Sequence, residues 1–365
     1  MKKRTRKTLP RPYSLRIQKL RNKLTEQELD GFLVQSRMDQ YWLTGFTGED
    51  GYTLVTQRAV VLLTDGRFDE NADREAPYAR KVIRKKRTPD VTAAAIKKFR
   101  VKRLGFNPAH MTVSDHTDLK KHLRPTKLVP ASDPITPERA IKDAGEVKRM
   151  RQSIAIAEKS FEKVRRWVKP GLTEKEIAAK LVYEMQRLGA QGETFPSIVA
   201  SGPNSSLPHA VPGMRKLKKN ELLLVDWGAH VDWYGSDLTR VIWLGSIPRR
   251  MRKVFDVVRE AHDCAIDAVR PGITAHQLDH VARSVIQKAG YGKMFNHALG
   301  HGLGLVAHEV PRIGRGTQTV LEPGMVITIE PGIYLPGVGG VRLEDDILVT
   351  KSGHEVLSSL PVEFS

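Results

Sequence analysis

Residues 222–240 read LLLVDWGAHVDWYGSDLTR, an apolar run that ends on Asp226 and is followed, eleven residues later, by Asp237. A lone carboxylate at the end of a buried strand loses several kcal/mol of hydration. If the chain folds back through a turn, the two carboxylates face each other, and they repel unless a cation or a shared proton lies between them. We therefore expect a divalent metal ion at this point. The alternative is that both residues are ordinary turn and helix-capping aspartates.

A second segment, residues 297–311 (HALGHGLGLVAHEVP), supplies imidazoles in a glycine-rich setting. Glycines on both sides of His301 let the backbone approach a ligand closely, and a neutral histidine is a nitrogen ligand for metals. A dinucleotide-binding loop is the rival interpretation, but no strand, loop and helix with a later acidic residue surround these glycines. The helical zinc-protease motif is absent, because no second histidine follows His308-Glu309 at the required spacing.

Two further segments are strand-like and carry an acid. Residues 325–332 (MVITIEPG) end a β-branched strand on Glu330, and residues 339–346 (GGVRLEDD) have Glu344 near their centre. Buried strands that point such carboxylates inward need a partner charge. Four carboxylates and one imidazole form a hard ligand set, which suits two Mn²⁺-like ions better than a thiolate-bound zinc. Two such ions about 3.5–4 Å apart activate water and polarise a carbonyl, which is the basis of metal-assisted hydrolysis.

Together these motifs resemble the pita-bread metallopeptidases of peptidase family M24, which include methionine aminopeptidase, aminopeptidase P and prolidase. The resemblance rests on the spacing of the two aspartates, the Gly300-His301-Gly302 loop with His308 seven residues on, and the two glutamates in order. The N-terminal half, with residues 41–46 (YWLTGF) and 63–68 (LTDGRF), resembles the creatinase-type domain of the proline-specific members. The resemblance thus implies an Xaa-Pro peptidase, either a prolidase that cuts dipeptides or an aminopeptidase P.

Carried over to this sequence, the resemblance implies a ligand set for two divalent ions. Asp226 is expected to hold one ion, Asp237 and Glu344 to bridge both, and His301 and Glu330 to complete the other. We expect Mn²⁺, with Co²⁺, Zn²⁺ and Fe²⁺ as alternatives, because oxygen and nitrogen ligands accept all four.

The resemblance also implies the residues that contact substrate. His209, which follows residues 195–202 (FPSIVASG), and His308 are expected to bind the scissile carbonyl and stabilise the oxyanion. Glu330 is also expected to act in catalysis by moving a proton from the attacking water. Arg312 matches an arginine with which prolidases hold the carboxylate of a dipeptide. The alternatives are a plain loop histidine at 209 and an ordinary exposed arginine at 312.

The length of the chain and the distribution of its charge indicate how it is divided into domains. At 365 residues the chain is longer than a single hydrophobic core usually supports, so we expect two domains, a creatinase-like mixed α/β domain (13–135) and a pita-bread catalytic domain (136–365), preceded by a basic tail (1–12). The expected fold class is α/β (α+β), and residues 131–137 read as a linker. The net charge of +19 comes from residues 1–25 and 80–103, which hold ten and eleven basic residues against none and one acidic residue.

These features leave two function classes. The first is a metal-dependent Xaa-Pro peptidase that acts on short proline-containing peptides; the family suggests a homodimer. The second is a non-catalytic pita-bread protein that uses its basic segments to bind nucleic acid or an acidic partner, a reading not favoured because aromatic residues are sparse there. No apolar run approaches the roughly 18 residues of a membrane span. With one cysteine, Cys264, which we expect to be buried, disulfides within the chain are excluded and a cytoplasmic location is expected.

Overall fold

The computed structural model describes residues 10–365, and the chain divides into two compact units. The first unit ends at Arg139, and the second is Ala140–Ser365. The mixed α/β fold class with two domains is confirmed. The boundary between residues 135 and 136 stays a prediction. Of the predicted basic tail, residues 1–12, the first nine residues lie outside the part of the chain that the structure describes.

The first unit is built on a six-stranded mixed sheet with the order β4-β3-β2-β1-β5-β6. Its strands are β1 (Gly31–Val34), β2 (Tyr52–Thr56), β3 (Val60–Thr64), β4 (Arg80–Ile83), β5 (Arg103–Phe106) and β6 (Lys127–Pro130). Its helices are α1 (Arg11–Glu26), α2 (Arg37–Thr44), α3 (Asp69–Glu75), α4 (Thr88–Lys98) and α5 (Val113–Leu123). Strand β3, next to the edge strand β4, is buried along its whole length, as its run of Val and Leu predicts for a strand covered on both faces.

A short helix, α6 (Thr136–Ala140), begins within the last two residues of the segment 131–137 that was expected to be a linker. The second unit then contains four long helices, α7 (Ala144–Arg165), α8 (Glu174–Arg187), α9 (Arg249–Ala268) and α10 (Ala275–Lys288). Three of them begin at capping boxes: Asp143 with Glu146 opens α7, Thr173 with Glu176 opens α8, and Thr274 with Gln277 opens α10. In each box the side chains satisfy backbone N–H groups that the first helical turn leaves free.

The strands of the second unit form two larger sheets and two small ones, in the orders β20-β12-β9-β8, β14-β13-β15-β18-β19, β11-β10-β7 and β16-β17. In chain order they are β7 (Gly192–Glu193), β8 (Ile198–Ser201), β9 (Leu222–Trp227), β10 (Ala229–Val231), β11 (Tyr234–Gly235), β12 (Leu238–Trp243), β13 (Gly300–Gly302), β14 (Glu309–Ile313), β15 (Val326–Ile329), β16 (Gly332–Leu335), β17 (Gly339–Arg342), β18 (Asp345–Val349), β19 (His354–Val356) and β20 (Glu363–Phe364).

Strand β9 separates two hydrophobic cores of the second unit. Leu223, Val225 and Trp227 belong to the core formed with α7 and α8, where the Trp227 ring stacks on Phe161 at a centroid distance of 4.3 Å. Leu222 and Leu224 face the core formed with α9 and α10. Because side chains alternate along a strand, Asp226 shares the face of Leu222 and Leu224.

Two surface features complete the description. The basic segment 80–103 spans β4, α4 and the start of β5, and most of its lysines and arginines are exposed. Cys264 is exposed on α9, so the prediction that it is buried was wrong.

None of the helices within residues 10–365 has the length and hydrophobicity that a membrane span requires.

Candidate metal centre

Two antiparallel strands bring the first pair of predicted ligands onto one face of a sheet. Strands β9 and β12 pair so that Thr239 lies opposite Asp226, and Asp237 lies two residues before Thr239. Residues two apart on a strand share a face, so both carboxylates point to the same side. Both are buried. The chain does fold back between these strands, through β10 and β11, and Asp237 lies two residues from the position directly opposite Asp226.

The glycines around His301 are required by the close approach of neighbouring strands. A Cβ atom on Gly300 would lie 2.0 Å from the Thr328 carbonyl oxygen, and one on Gly302 would lie 2.2 Å from the Val310 carbonyl oxygen. Only glycine fits at either position. The backbone N–H of His301 donates to Thr328 Oγ1 at 3.1 Å. The glycine-rich loop therefore serves to seat a histidine in a sheet.

The His301 ring is oriented with one nitrogen toward the carboxylates. Its Nδ1 lies 3.0 Å from the Gly302 carbonyl oxygen, so this nitrogen carries the proton and Nε2 has a free lone pair in the neutral ring. Nε2 lies 3.3 Å from Glu330 Oε1 and 3.7 Å from Asp237 Oδ2. This is the tautomer that a metal-binding histidine needs.

Three of the five predicted ligands come together closely. One ligand atom from each of Asp237, His301 and Glu344 lies within 4.8 Å of the other two. Glu344 is tied to β12 by the hydroxyl of Thr239, which donates to Glu344 Oε2 at 2.6 Å. Glu330 contacts His301 from the end of β15, and Asp226 lies outside the group of three.

The electrostatics of these buried carboxylates fit a bound cation. Burial raises the pKa of Asp237 well above its ordinary value, and Glu344 and Asp226 raise it further. Burial, reinforced by Glu330 and Asp226, likewise raises the pKa of Glu344 well above its usual range. Burial raises the pKa of Asp226, which Arg342 opposes. For Glu330 burial acts in the same direction, but His301, which in its protonated form donates a hydrogen bond to the carboxylate, keeps the pKa of Glu330 below the ordinary value.

One oxygen of the set has no hydrogen-bond partner. Asp226 Oδ2 accepts from Arg342, whereas the buried Asp226 Oδ1 has no partner among residues 10–365. A buried carboxylate oxygen without a partner is costly, and a metal ion would satisfy it. Oxygen donors with one imidazole are the ligands that Mn²⁺-like ions prefer. The residues present therefore fit a divalent metal centre.

The predicted substrate residues differ in how closely they approach this centre. The exposed His308 ring stands nearly perpendicular to the His301 ring, with centroids 4.2 Å apart. Partial burial and the neighbouring His301 lower the pKa of His308. His209 is exposed on a loop and interacts electrostatically with Asp226 and His308. Arg312 is exposed on β14 and pairs across the sheet with His301, so the two side chains share a face.

Sequence reasoning assigned no role to a buried arginine that organises the centre. Arg342, on β17, donates to Asp226, to the Tyr334 hydroxyl at 2.9 Å and to the Pro208 carbonyl at 3.2 Å. The Tyr334 hydroxyl also lies 3.0 Å from His297 Nε2, which places His297 behind the ligands. The available signal was the position of Arg342 two residues before Glu344, because a charge on a buried strand needs a partner.

Comparison with known proteins agrees with this geometry. The model of the "Metallopeptidase family M24" matches residues 148–351, and that of the "Creatinase/Prolidase N-terminal domain" matches residues 16–141. An Xaa-Pro dipeptidase of Pyrococcus horikoshii is 35% identical over 344 residues, which cover 94% of this chain and 96% of that protein.

Solved structures show the same similarity over nearly the whole chain. An Xaa-Pro dipeptidase from Bacillus anthracis matches with a TM-score of 0.94 and 34% identity, over 96% of this chain and 99% of that one. An X-Pro aminopeptidase from Thermotoga maritima matches with a TM-score of 0.89 and 32% identity, over the same shares. The expected creatinase-like and pita-bread domains are confirmed. The chain therefore belongs to metallopeptidase family M24, with a creatinase/prolidase N-terminal domain.

Proposed function

We propose that this protein is a metal-dependent Xaa-Pro peptidase that hydrolyses the peptide bond before proline. The observation that carries the proposal is the convergence of Asp237, His301 and Glu344 within 4.8 Å in a chain of family M24. Relatives that act on Xaa-Pro bonds, such as the P. horikoshii dipeptidase, support the substrate class. The alternative of a non-catalytic protein that binds nucleic acid or an acidic partner has no support from these relatives.

The ligands that we propose for two divalent ions are Asp226, Asp237, His301, Glu330 and Glu344. When bound, such ions activate water and polarise the scissile carbonyl. Glu330 accepts a proton from the attacking water and passes it to the proline nitrogen as the bond breaks. The proximity of Glu330 to His301, with Oε1 and Nε2 3.3 Å apart, supports this role because it orients the carboxylate.

We propose that His209 and His308 bind the scissile carbonyl oxygen and stabilise the developing oxyanion through their N–H groups. The contact of the His308 and His301 rings supports the assignment, since it places His308 beside the metal ligands while its ring stays exposed. The proline nitrogen carries no N–H, so recognition of the ring depends on shape rather than on a hydrogen bond to that nitrogen.

The activity is tested by the release of proline from an Xaa-Pro dipeptide. Chelator-treated protein is expected to lose at least about 100-fold in rate, because its buried carboxylates then lack the cation that activates water. Mn²⁺, or failing that Co²⁺, Zn²⁺ or Fe²⁺, is expected to restore the rate. Alanine in place of proline in the same dipeptide is the control. Equal cleavage of both dipeptides, or a rate that chelation leaves unchanged, would contradict the proposal.

We propose that Arg312 holds the free carboxylate of a dipeptide substrate, which makes the enzyme a prolidase. Arg312 shares the face of His301, and its side chain has no ion pair within residues 10–365. Arg312→Ala is expected to lower kcat/KM for an Xaa-Pro dipeptide by about 10- to 100-fold, the worth of a charge-assisted hydrogen bond. Cleavage of an Xaa-Pro-Xaa tripeptide should change less than about threefold. Arg315→Ala, three residues on and also exposed, is the matched control. Equal losses on both substrates would favour an aminopeptidase P.

We further propose a cytoplasmic homodimer with Mn²⁺ as the native metal. Three large apolar side chains around His209, Leu207, Val211 and Met214, are 59%, 87% and 74% exposed, which supports an interface at this loop. A single cysteine without a disulfide supports a reducing compartment. The boundaries 1–12, 13–135 and 136–365 remain our proposal for the domain division.

A further inference from the structure

A buried ion pair lies directly beside His308. Lys142, in the segment that leads into α7, places Nζ 3.2 Å from Oε2 of Glu309, the first residue of β14. Their side chains are only 2% and 5% exposed. Removing two opposite charges from water is expensive, and such a pair often adds little to stability compared with apolar residues. The position of this pair, with Glu309 directly after His308 in the sequence, therefore calls for another explanation.

The Glu309 carboxylate closes the loop that carries His308. Its Oε1 accepts from the backbone N–H of Leu305 at 2.9 Å and from that of Val306 at 3.4 Å. The carboxylate also packs on Gly304, where a Cβ atom would lie 2.7 Å from Oε2. Residues 304–309 are thus folded around one carboxylate, and the orientation of that carboxylate governs the shape of the loop.

Lys142 is fixed to the strand that leads to Glu330. Its backbone N–H donates to the Gly324 carbonyl at 2.8 Å, and Ile141 pairs with Met325 just before β15. At the other side of the loop, the Leu303 N–H donates to the Val326 carbonyl at 3.0 Å. Both Lys142 and the base of the loop are therefore held against β15, whose last residue precedes Glu330.

We propose that Lys142 and Glu309 are positioning residues that hold His308 against His301 in the geometry needed to bind the scissile carbonyl. The inference rests on the proposed role of His308 in Xaa-Pro hydrolysis. Lys142 Nζ fixes one oxygen of the Glu309 carboxylate, the other oxygen fixes the loop N–H groups, and the loop fixes the His308 ring. Neither residue touches substrate, so each acts through His308.

The test is a double-mutant cycle between Lys142 and His308. Lys142→Met is expected to lower kcat/KM for an Xaa-Pro dipeptide by about 10- to 100-fold, the usual effect of removing a partner behind an active-site group. In a His308→Ala background the same substitution should change the rate less than about twofold, because the group that it positions is gone. Lys142→Arg should retain most of the activity, and Lys148→Met, an exposed lysine on α7, should behave as wild type. An equal loss in both backgrounds would show a merely structural role and overturn the proposal.

A second measurement does not depend on catalysis. In protein labelled with ¹⁵N-histidine, the imidazole signal that disappears in His308→Ala identifies His308. This signal is expected to shift in Lys142→Met and to stay in place in Lys148→Met. If Lys142→Met fails to fold, Lys142→Met/Glu309→Gln, which removes both charges of this ion pair, carries the same comparison. A wild-type protein without Xaa-Pro activity would refute the proposed function, whereas an unmoved His308 signal would refute the positioning role.

Discussion

Replacing Asp237 with asparagine is expected to lower kcat/KM for Xaa-Pro hydrolysis by at least about 10³-fold, equivalent to about 4 kcal/mol of transition-state stabilisation. Asp237 is buried on the face that it shares with Asp226, and one of its oxygens lies within 4.8 Å of ligand atoms of His301 and Glu344. An amide has the shape of the carboxylate but lacks its charge, so it binds a hard cation far more weakly.

The loss of activity should be accompanied by a loss of metal. After dialysis against Mn²⁺ and removal of excess ions, mass spectrometry of the metal content should give fewer ions per chain for Asp237→Asn than for wild type. Asp256→Asn is the matched control, since Asp256 is an exposed aspartate on α9 of the same unit. Full activity of Asp237→Asn, or unchanged metal content together with lost activity, would refute the proposed ligand role.

The same substitution should stabilise the protein when chelator is present. Without a cation, Asp237, Glu344 and Asp226 oppose one another in a buried site, because burial and mutual repulsion act together on their pKa values. Removing one negative charge relieves the other two. We expect the Tm of chelator-treated Asp237→Asn to exceed that of chelator-treated wild type by about 2 °C or more. With Mn²⁺ the order should reverse, because the metal stabilises only a protein that binds it well.

The ligand set was accessible from the sequence because each ligand lies at a strand end or in a glycine-bounded loop. Asp226 follows an apolar run, Glu330 ends a β-branched strand, and His301 lies between two glycines that neighbouring carbonyl oxygens make obligatory. These are local signals, in which an ionisable residue interrupts a pattern that otherwise predicts burial. The structure adds the distances, which depend on how β12, β15 and β18 pair.

The contacts of the supporting groups were not accessible from the sequence, because they join segments that are distant from each other along the chain. Arg342 reaches Asp226, which is 116 residues away, and Lys142 reaches Glu309, which is 167 residues away. A basic residue on a strand or before a helix is ordinarily exposed, so only the three-dimensional packing identifies such a partner. The prediction that Cys264 is buried was wrong for a different reason. The buried face of α9 includes Val254, Val258, Ala261 and Ala265, and residue 264 lies outside that stripe.

Arg240→Met is expected to lower the free energy of unfolding of the catalytic unit by about 3–5 kcal/mol, because it leaves a buried carboxylate without its partner. Arg240 is completely buried on β12, and its guanidinium donates to Asp345 Oδ1 at 2.6 Å, to the Leu360 carbonyl at 3.0 Å and to the Glu344 carbonyl at 2.5 Å. Although burial opposes it, Arg240 helps to keep the pKa of Asp345 well below its ordinary value.

The measurement is denaturant unfolding of chelator-treated protein, so that metal binding does not contribute to the midpoint. Tryptophan fluorescence reports mainly on this unit, since four of the five tryptophans, at 167, 227, 233 and 243, lie in it. Arg151→Met is the matched control. It removes the exposed ion pair with Glu355, in which the side chains are 42% and 46% exposed, and should cost at most about 1 kcal/mol. Equal shifts for the two variants would contradict the structural role of Arg240.

A second substitution separates the lost ion pair from the lost packing of a long side chain. In Arg240→Met/Asp345→Asn no unpaired charge is left in the interior, so part of the stability lost in Arg240→Met should return. What does not return measures the contacts of the guanidinium with the backbone of Glu344 and Leu360. The Glu344 carbonyl is one of those contacts, and Glu344 is a proposed metal ligand. The double variant should therefore regain stability but still bind metal more weakly than wild type. A double variant less stable than Arg240→Met would show that the Asp345 charge is satisfied by other groups, such as His262, whose Nε2 lies 3.1 Å from Asp345 Oδ2.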